Sequence, residues 1–388
     1  NYMNTTKLMN RAADNIRILA AAAVEKAKSG HPGGAMGGAD FINVLYSEFL
    51  EYDPENPAWE ARDRFFLDPG HMAPMLYSQL CLAGKYTLAD LQTLRQWGSV
   101  VPGHPERDIE HGIENTSGPL GQGHTFAVGA AIAAKWFNAR YGAIHNPTIY
   151  AFISDGGVQE EISQGAGRMA GFLGLDNLIM FYDSNEVQLS TDCRDVTNED
   201  VAAKYEAWGW FVQEIPGNDP DAIREALVRA KEEKKRPSLI IGHTTMGKGC
   251  VTADGQSFEG KCSTHGQPLS KSGASFEATV KHLGGDPENP FAIFPEVQEL
   301  YDRRAAQLRE TANQRYEKYY EWKQANPLAA NEYETFMSGE TPCIDWSEIV
   351  QKQGAATRNA SATVLGYLAE HVGNMIVSSA DLSNSDKT

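Results

Sequence analysis

Apolar and polar positions along this chain follow two periods. Between Asn10 and Lys28 the apolar residues Ile16, Leu19, Ala20, Ala23, Val24 and Ala27 recur at helical spacing, and Ser29-Gly30 closes the pattern. Ala39–Phe49 predicts a second helix, and Asp63–Leu67 a strand that leads into Gly70-His71. Thr87–Gln96 predicts a helix entered through a Thr-Leu-Ala-Asp cap, and Ala127–Tyr141 an Ala-rich helix suited to close packing on a sheet. Short apolar runs then alternate with helical ones. Strands are expected at Ile149–Ile153, Leu178–Tyr182, Gly209–Ile215 and Ser238–His243, with helices at Glu160–Leu173, Val201–Ala207 and Asp221–Lys234 between them. This alternation predicts an α/β fold, a doubly wound parallel sheet with helices on both faces.

Beyond the last strand, Gly247–Gly273 has little regular pattern and predicts a long loop, a kind of segment that is usually functional or disordered. Glu296–Gln324 predicts a long charged helix, read as a solvated bracket rather than a core element. A helix at Arg358–Glu370 and a strand at Met375–Ser379 open a new α/β unit. One strand cannot bury a sheet, so the chain is expected to stop inside its second domain. The expected division is residues 1–325, a linker over 326–356, and the truncated start of a second, similar domain over 357–388.

Composition narrows the partners. A net charge of −17 argues against nucleic acid and anionic membranes, and no run of about 18 apolar residues predicts a transmembrane helix. The five cysteines are odd in number and scattered, without zinc-finger spacing, which favours a reducing, cytoplasmic setting. Asn1-Tyr2-Met3-Asn4 lacks the apolar core of a signal peptide, and the residues before Met3 are expected to be a cloning addition.

The candidate chemistry starts from two polar residues. Asp155 in Ser154-Asp155-Gly156 and Asn185 in Ser184-Asn185 each follow an apolar strand, with 27 residues between Gly156 and Ser184. That spacing allows strand, helix and parallel strand, and puts both residues at one carboxyl edge, where open α/β sheets bind ligands. A carboxylate and an amide carbonyl are hard oxygen ligands for Mg²⁺ or Ca²⁺, and such a metal can hold a diphosphate. Gly156 permits close backbone approach, and the helix after it offers a positive dipole end to an anion. Upstream, in order, stand Ser29-Gly30-His31-Pro32-Gly33-Gly34, Gly70-His71, Pro102-Gly103-His104-Pro105-Glu106 and Gly118-Pro119-Leu120-Gly121-Gln122-Gly123.

In order and spacing these segments resemble the transketolase family over essentially the whole chain. The resemblance implies a thiamine diphosphate-binding fold and a homodimer with active sites at the subunit interface. The implied reaction moves a two-carbon ketol unit between sugar phosphates. Its cofactors would be thiamine diphosphate and Mg²⁺, with Ca²⁺ or Mn²⁺ able to substitute. By resemblance, Asp155, Asn185 and the Val187 carbonyl bind the metal. His71 and His265 lie beside the diphosphate and the reacting centre. Gly118 and Leu120 face the cofactor ring, and Leu189 supports the thiazolium. His31, His104 and His265 contact the donor sugar, a role that suits groups able to move protons near pH 7. Arg358 and Ser385 would hold the substrate phosphate, and Asp381 would reach the cofactor of the opposing subunit. Glu160 would link the two active sites.

The chain also departs from the family pattern. Ser154 replaces the first Gly of the cofactor motif, Glu160-Glu161 stand as a pair, and Val251–Cys262 is longer than usual. The family's glutamate that protonates the aminopyrimidine would lie beyond Thr388, so this chain alone is expected to bind cofactor or catalyse poorly. Alternatives that keep the cofactor are dihydroxyacetone synthase, 1-deoxyxylulose-5-phosphate synthase, a 2-oxoacid dehydrogenase subunit, and a non-catalytic half-subunit of a split transketolase. Arg358, Ser385 and the three sugar-facing histidines favour phosphorylated ketoses over 2-oxoacids. A nicotinamide dehydrogenase is set aside, because no Gly-x-Gly-x-x-Gly follows a first strand with an acidic residue beyond it.

Overall fold

The computed structural model describes residues 4–388, so the expected cloning addition before Met3 lies outside the described residues. The Ala-rich run folds as α1 (Thr6–Ala27). The Thr5 hydroxyl accepts the Leu8 N–H at its start, and Lys28 ends it in a left-handed conformation. His31 then precedes a short buried helix, α2 (Pro32–Gly37), which continues into α3 (Ala39–Val44). The expected helix over 39–49 changes character at Leu45, where one wider π-type turn carries the chain to Phe49.

Strand β1 (Arg64–Leu67) leads through Gly70 into α4 (Ala73–Leu82). The helix expected over 87–96 is a single turn, α5 (Leu88–Leu91), although its capping box of Thr87 and Asp90 forms in full. The chain leaves this turn because Arg95 adopts φ 62° and its N–H donates to Val101 O instead of continuing the helix. Helix α6 (Gln122–Tyr141) starts five residues before its expected start of Ala127, since a distant carboxylate caps it: Asp68 Oδ1 accepts the Gly121 and Gly123 N–H groups at 2.9 and 2.8 Å.

The remaining strands and helices alternate as expected: β2 (Ile149–Ser154), α7 (Glu161–Leu173), β3 (Leu178–Ser184), α8 (Val201–Ala207), β4 (Phe211–Pro216), α9 (Pro220–Glu232) and β5 (Ser238–His243). All pairings are parallel and the sheet order is β1-β2-β3-β5-β4. Both faces are covered. Tyr150, Phe152, Ile179, Phe181 and Ile240 join the core under α1, α3 and α4, where Phe41 stacks on Phe181 at 4.0 Å. Their strand neighbours Ile149, Ala151, Ile153, Met180 and Leu239 point into the other core with Ala127, Ala170, Tyr205 and Trp210. The doubly wound sheet is therefore present.

After β5 the long irregular segment holds only short turns until α10 (Leu269–Ser272) and α11 (Phe276–His282). The long charged helix is α12 (Pro295–Ala325). It is more than a solvated bracket, because Val297, Leu300, Tyr301, Leu308 and Ala312 form a buried stripe along it. Tyr301 hydroxyl donates to Asn43 Oδ1 at 2.7 Å inside the first core.

The chain divides into two compact units, one ending at Lys318 and one running from Tyr319 to Thr388. The second contains α13 (Pro327–Met337), α14 (Thr357–His371) and α15 (Ser383–Asp386). The strand expected at Met375–Ser379 is absent: these residues pair with no strand among the described residues, and an extended segment without a ladder partner is not a strand.

Candidate functional site

The register decides where the polar residues meet. Ser154 pairs with Asp183 and Leu67 with Phe152, so β1, β2 and β3 end side by side at one carboxyl edge. From those ends the chain delivers Gly70-His71, Asp155-Gly156 and Asn185. A cleft of about 570 Å³ opens there. Its walls include His31, His71, His104, Gly118, Leu120, Asp155, Gly156, Asn185, Val187, Leu189 and His265, eleven positions drawn from seven separate segments.

Asp155 is buried, and its carboxylate accepts from Tyr182 hydroxyl at 2.5 Å and from the Asn185 and Glu186 N–H groups at 3.0 and 2.9 Å. A carboxylate offers about four lone-pair directions, so three contacts leave capacity for one more. Burial nevertheless pushes Asp155 above the ordinary carboxylate range. Its neighbour Asp183 is fully buried and pushed up to about 7, by burial first, against the donated Thr244 hydroxyl, with the Asp155 charge adding to the rise. Asn185 Nδ2 donates to Asp183 Oδ2 at 3.2 Å, and Asn185 Oδ1 accepts the Val187 N–H at 3.0 Å. Two buried carboxylates raised together are the electrostatic condition that a divalent cation relieves. The donor set is all oxygen, as Mg²⁺ or Ca²⁺ requires.

The backbone beside this group is close to its neighbour. A Cβ at Gly156 would stand 2.9 Å from Leu120 Cδ1, so the glycine lets the Gly118–Gly123 loop lie against the Asp155 turn. Leu189, itself 62% exposed, reaches toward Gly266, where a Cβ would meet its Cδ1 at 2.7 Å.

Four imidazoles also line the cleft. His31 lies 5.1 Å from His71, 5.8 Å from His265 and 6.4 Å from His104 between ring centroids, and His71 stacks on His265 at 5.1 Å. All four are pushed below the usual histidine range, chiefly by burial, with His31 down to about 4. They are therefore neutral at pH 7, and each ring presents one donor and one acceptor. His265 Nδ1 is buried without a hydrogen-bond partner. A buried polar atom of that kind fits a polar ligand.

The depressed values fix a sign. Between pH 6.5 and about 4 the unfolded chain binds a proton at His31 that the folded chain refuses, so this histidine makes stability fall as pH drops through that window. Buried acids raised to about 6, such as Asp63 and Asp68, act in the opposite sense. The histidine effect is thus read as a difference: the loss of melting temperature from pH 7 to pH 5 is expected to be smaller in His31→Gln than in the parent. An equal loss in both proteins would contradict the neutral assignment.

One expected site residue of the first unit stands outside the cleft wall. Glu160 is exposed at the start of α7, where its Cβ lies against Gly121. In the second unit, Arg358 Nη1 and Ser385 Oγ come within 3.5 Å of each other, and Asp381 takes φ 62°; all three are exposed. Sequence reasoning missed Asp183, Tyr182, Asp68 and Arg95. Asp183 carried a signal, an acid closing an apolar strand. The other three act through contacts that only the fold creates.

A family profile described as the thiamine diphosphate-binding domain of transketolase matches residues 8–342. The chain is 38% identical to Transketolase 2 of Escherichia coli (strain K12) over 392 residues, which is 97% of this chain and 57% of that protein. It is 37% identical to the chloroplastic transketolase of Spinacia oleracea, covering 98% of this chain and 52% of the relative. A solved transketolase from Pichia stipitis in complex with sedoheptulose 7-phosphate superposes with a TM-score of 0.91 at 33% identity, over 99% of this chain and 57% of that one. The chain thus spans just over half the length of the relatives it matches.

Proposed function

Because the chain belongs to the transketolase family and carries its thiamine diphosphate-binding domain, we propose that it is part of an enzyme of ketol transfer. A two-carbon unit would pass from a ketose phosphate such as xylulose 5-phosphate to an aldose phosphate such as ribose 5-phosphate. One observation carries this reading: the metal-type oxygen donors Asp155, Asn185 and Val187 share a cleft with four neutral imidazoles and an apolar pair, Leu120 and Leu189. Sedoheptulose 7-phosphate bound to the Pichia stipitis transketolase supports the substrate class.

The residues divide the work by their chemistry. Asp155, Asn185 and the Val187 carbonyl would hold Mg²⁺, with Ca²⁺ or Mn²⁺ as substitutes, and through it the diphosphate. Gly156 and Gly118 leave room for the cofactor, and Leu120 and Leu189 exclude water around its rings. Thiamine diphosphate, when bound, supplies a stabilised carbanion at its thiazolium. His71 and His265 would flank the diphosphate and the reacting centre. His31, His104 and His265 would hydrogen-bond sugar hydroxyls and carbonyls, a task that their neutrality at pH 7 supports. Arg358 and Ser385 are proposed to hold the substrate phosphate, for which a guanidinium fork beside a hydroxyl is suited. Asp381 would contact the cofactor of a second copy.

A second copy also explains an apolar surface. Phe126 on α6 and Ile162, Met169, Phe172 and Leu173 on α7 are exposed, Phe172 at 89%. An apolar patch of this kind marks an association face. We assign it to a homodimer, with Glu160 at its edge linking the two sites. Residues 1–325 would form the cofactor domain, 326–356 the linker and 357–388 the beginning of the pyrimidine domain. All five cysteines are free thiols, which supports a cytoplasmic location. No helix among the described residues is long and apolar enough to cross a membrane.

The test is a ketol-transfer assay on the uninterrupted gene product. Xylulose 5-phosphate and ribose 5-phosphate are supplied with thiamine diphosphate and Mg²⁺, and sedoheptulose 7-phosphate is followed by mass spectrometry. Product is expected. Metal-dependent cofactor binding without product would keep the cofactor and move the reading to another thiamine diphosphate reaction.

A further inference from the structure

Arg95 is a charged side chain that the proposed reaction leaves unused. Its left-handed φ of 62°, with the N–H donated to Val101 O at 3.2 Å, turns the chain back beside the loop that carries His31. Nη1 donates to Ser29 Oγ at 2.9 Å and Nη2 to His31 Nδ1 at 3.4 Å. The same guanidinium lies against the loop of a second cleft histidine, since a Cβ at Gly103, next to His104, would stand 3.0 Å from Nε.

A guanidinium is a donor only and stays charged in proteins. The His31 nitrogen facing it must therefore accept, and a neutral imidazole with an accepting Nδ1 carries its proton on Nε2. We propose that Arg95 is a positioning residue that fixes His31 as the Nε2–H tautomer, so that this imidazole offers the cleft a hydrogen-bond donor and not a general base.

The surroundings agree with this assignment. The groups that face His31 are Arg95, His71, His104 and His265, and Arg95 is the permanent cation among them. Its charge opposes protonation of His31 and of His104, in both cases after burial. Burial is the first cause of the ring's neutrality, and the contact that orients the ring adds to it. A donor at that point suits a ligand carbonyl or hydroxyl oxygen, and this functional half rests on the ketol-transfer reading. The tautomer does not.

Two measurements separate the halves. The chain is labelled with ¹⁵N-histidine, and the His31 ring nitrogens are assigned by their loss in His31→Gln. The wild-type spectrum should show a protonated, pyrrole-type Nε2 and an unprotonated Nδ1 at pH 7. Arg95→Met should shift His31 toward the other tautomer or a mixture, and Arg95→Lys, which keeps a cationic donor, should restore it in part. A wild-type ring protonated at Nδ1 overturns the proposal even if no variant folds, as does Arg95→Met with unchanged shifts. In the uninterrupted gene product, Arg95→Met should raise KM for the donor ketose about tenfold, the scale of one hydrogen bond, with thiamine diphosphate affinity unchanged. Equal loss of cofactor affinity would make Arg95 a general support of the cleft and overturn its specific role. Absence of turnover in the wild type would sink the ketol-transfer reading and leave the tautomer result standing.

Discussion

Asp155→Ala is expected to remove Mg²⁺-dependent thiamine diphosphate binding while leaving the protein folded. Burial already holds this carboxylate above its ordinary range, so its charge is a cost to the fold rather than a support. The substitution does orphan one hydroxyl and two backbone N–H groups, those of Tyr182, Asn185 and Glu186. An unsatisfied buried donor such as the Tyr182 hydroxyl costs about 1–3 kcal/mol, so some stability is lost. Asp155→Asn separates the two effects, because its carbonyl oxygen still accepts while the charge is gone. Removing groups that only support a metal ligand typically costs about 10–100-fold in affinity, so removing a ligand should exceed about 100-fold. Calorimetric titration of the cofactor at fixed Mg²⁺ reads this directly. Affinity within tenfold of the parent for both variants would dismiss Asp155 as a metal ligand.

Arg17→Met is expected to carry the largest cost in stability. Arg17 is buried in α1. It donates to Met36 O at 2.9 Å, to Asp14 at 2.7 Å and to Asp40, which is also buried. Asp40 in turn accepts Asn218 Nδ2 at 2.7 Å, and Asn218 Oδ1 accepts the Thr245 N–H at 3.0 Å. One guanidinium thus holds together α1, the α2–α3 junction and the loops after β4 and β5. Breaking a buried pair on one side leaves an uncompensated charge, at about 3–5 kcal/mol. The pH dependence gives a second reading. Burial raises Asp40 above its ordinary range although Arg17 opposes it, so without Arg17 the value must climb further. A carboxyl whose folded value is raised contributes stability at low pH and loses it as pH rises through that value. The deficit of the variant should therefore be smaller at pH 5 than at pH 7 in denaturant titrations. A deficit that is equal at both pH values would exclude Asp40 as the stranded charge.

The strands and the cofactor turn were legible because each has a local cause. Short apolar runs between helical ones dictate a parallel sheet, and a sheet of that kind gathers the residues at the ends of its strands along one edge. Asp155, Asn185 and His71 met there for that reason. Helix α4 was not legible. All of its residues from Ala73 to Leu82 are buried, so no polar face marks a period. The early start of α6 was hidden for another reason, since its cap is Asp68, far away in sequence. The strand expected at Met375–Ser379 had the right composition and no partner to pair with. Arg95 illustrates the general limit: nothing local distinguishes it from a surface arginine, and its meaning comes from the loop that it meets.

The strand order has a bearing on how this domain comes into being. β1 pairs with β2 only after the chain has passed through α4, α5 and α6, and β3 takes β5 rather than β4 as its outer neighbour. Such non-local parallel pairings must close long loops before they gain any contact energy, and they form slowly. The cleft is built on these pairings and is lined by loops as far along the chain as His265. During synthesis no cofactor site exists until the ribosome has passed β5 and the loop beyond it. A cofactor that binds only the finished cleft would stabilise the folded domain by mass action.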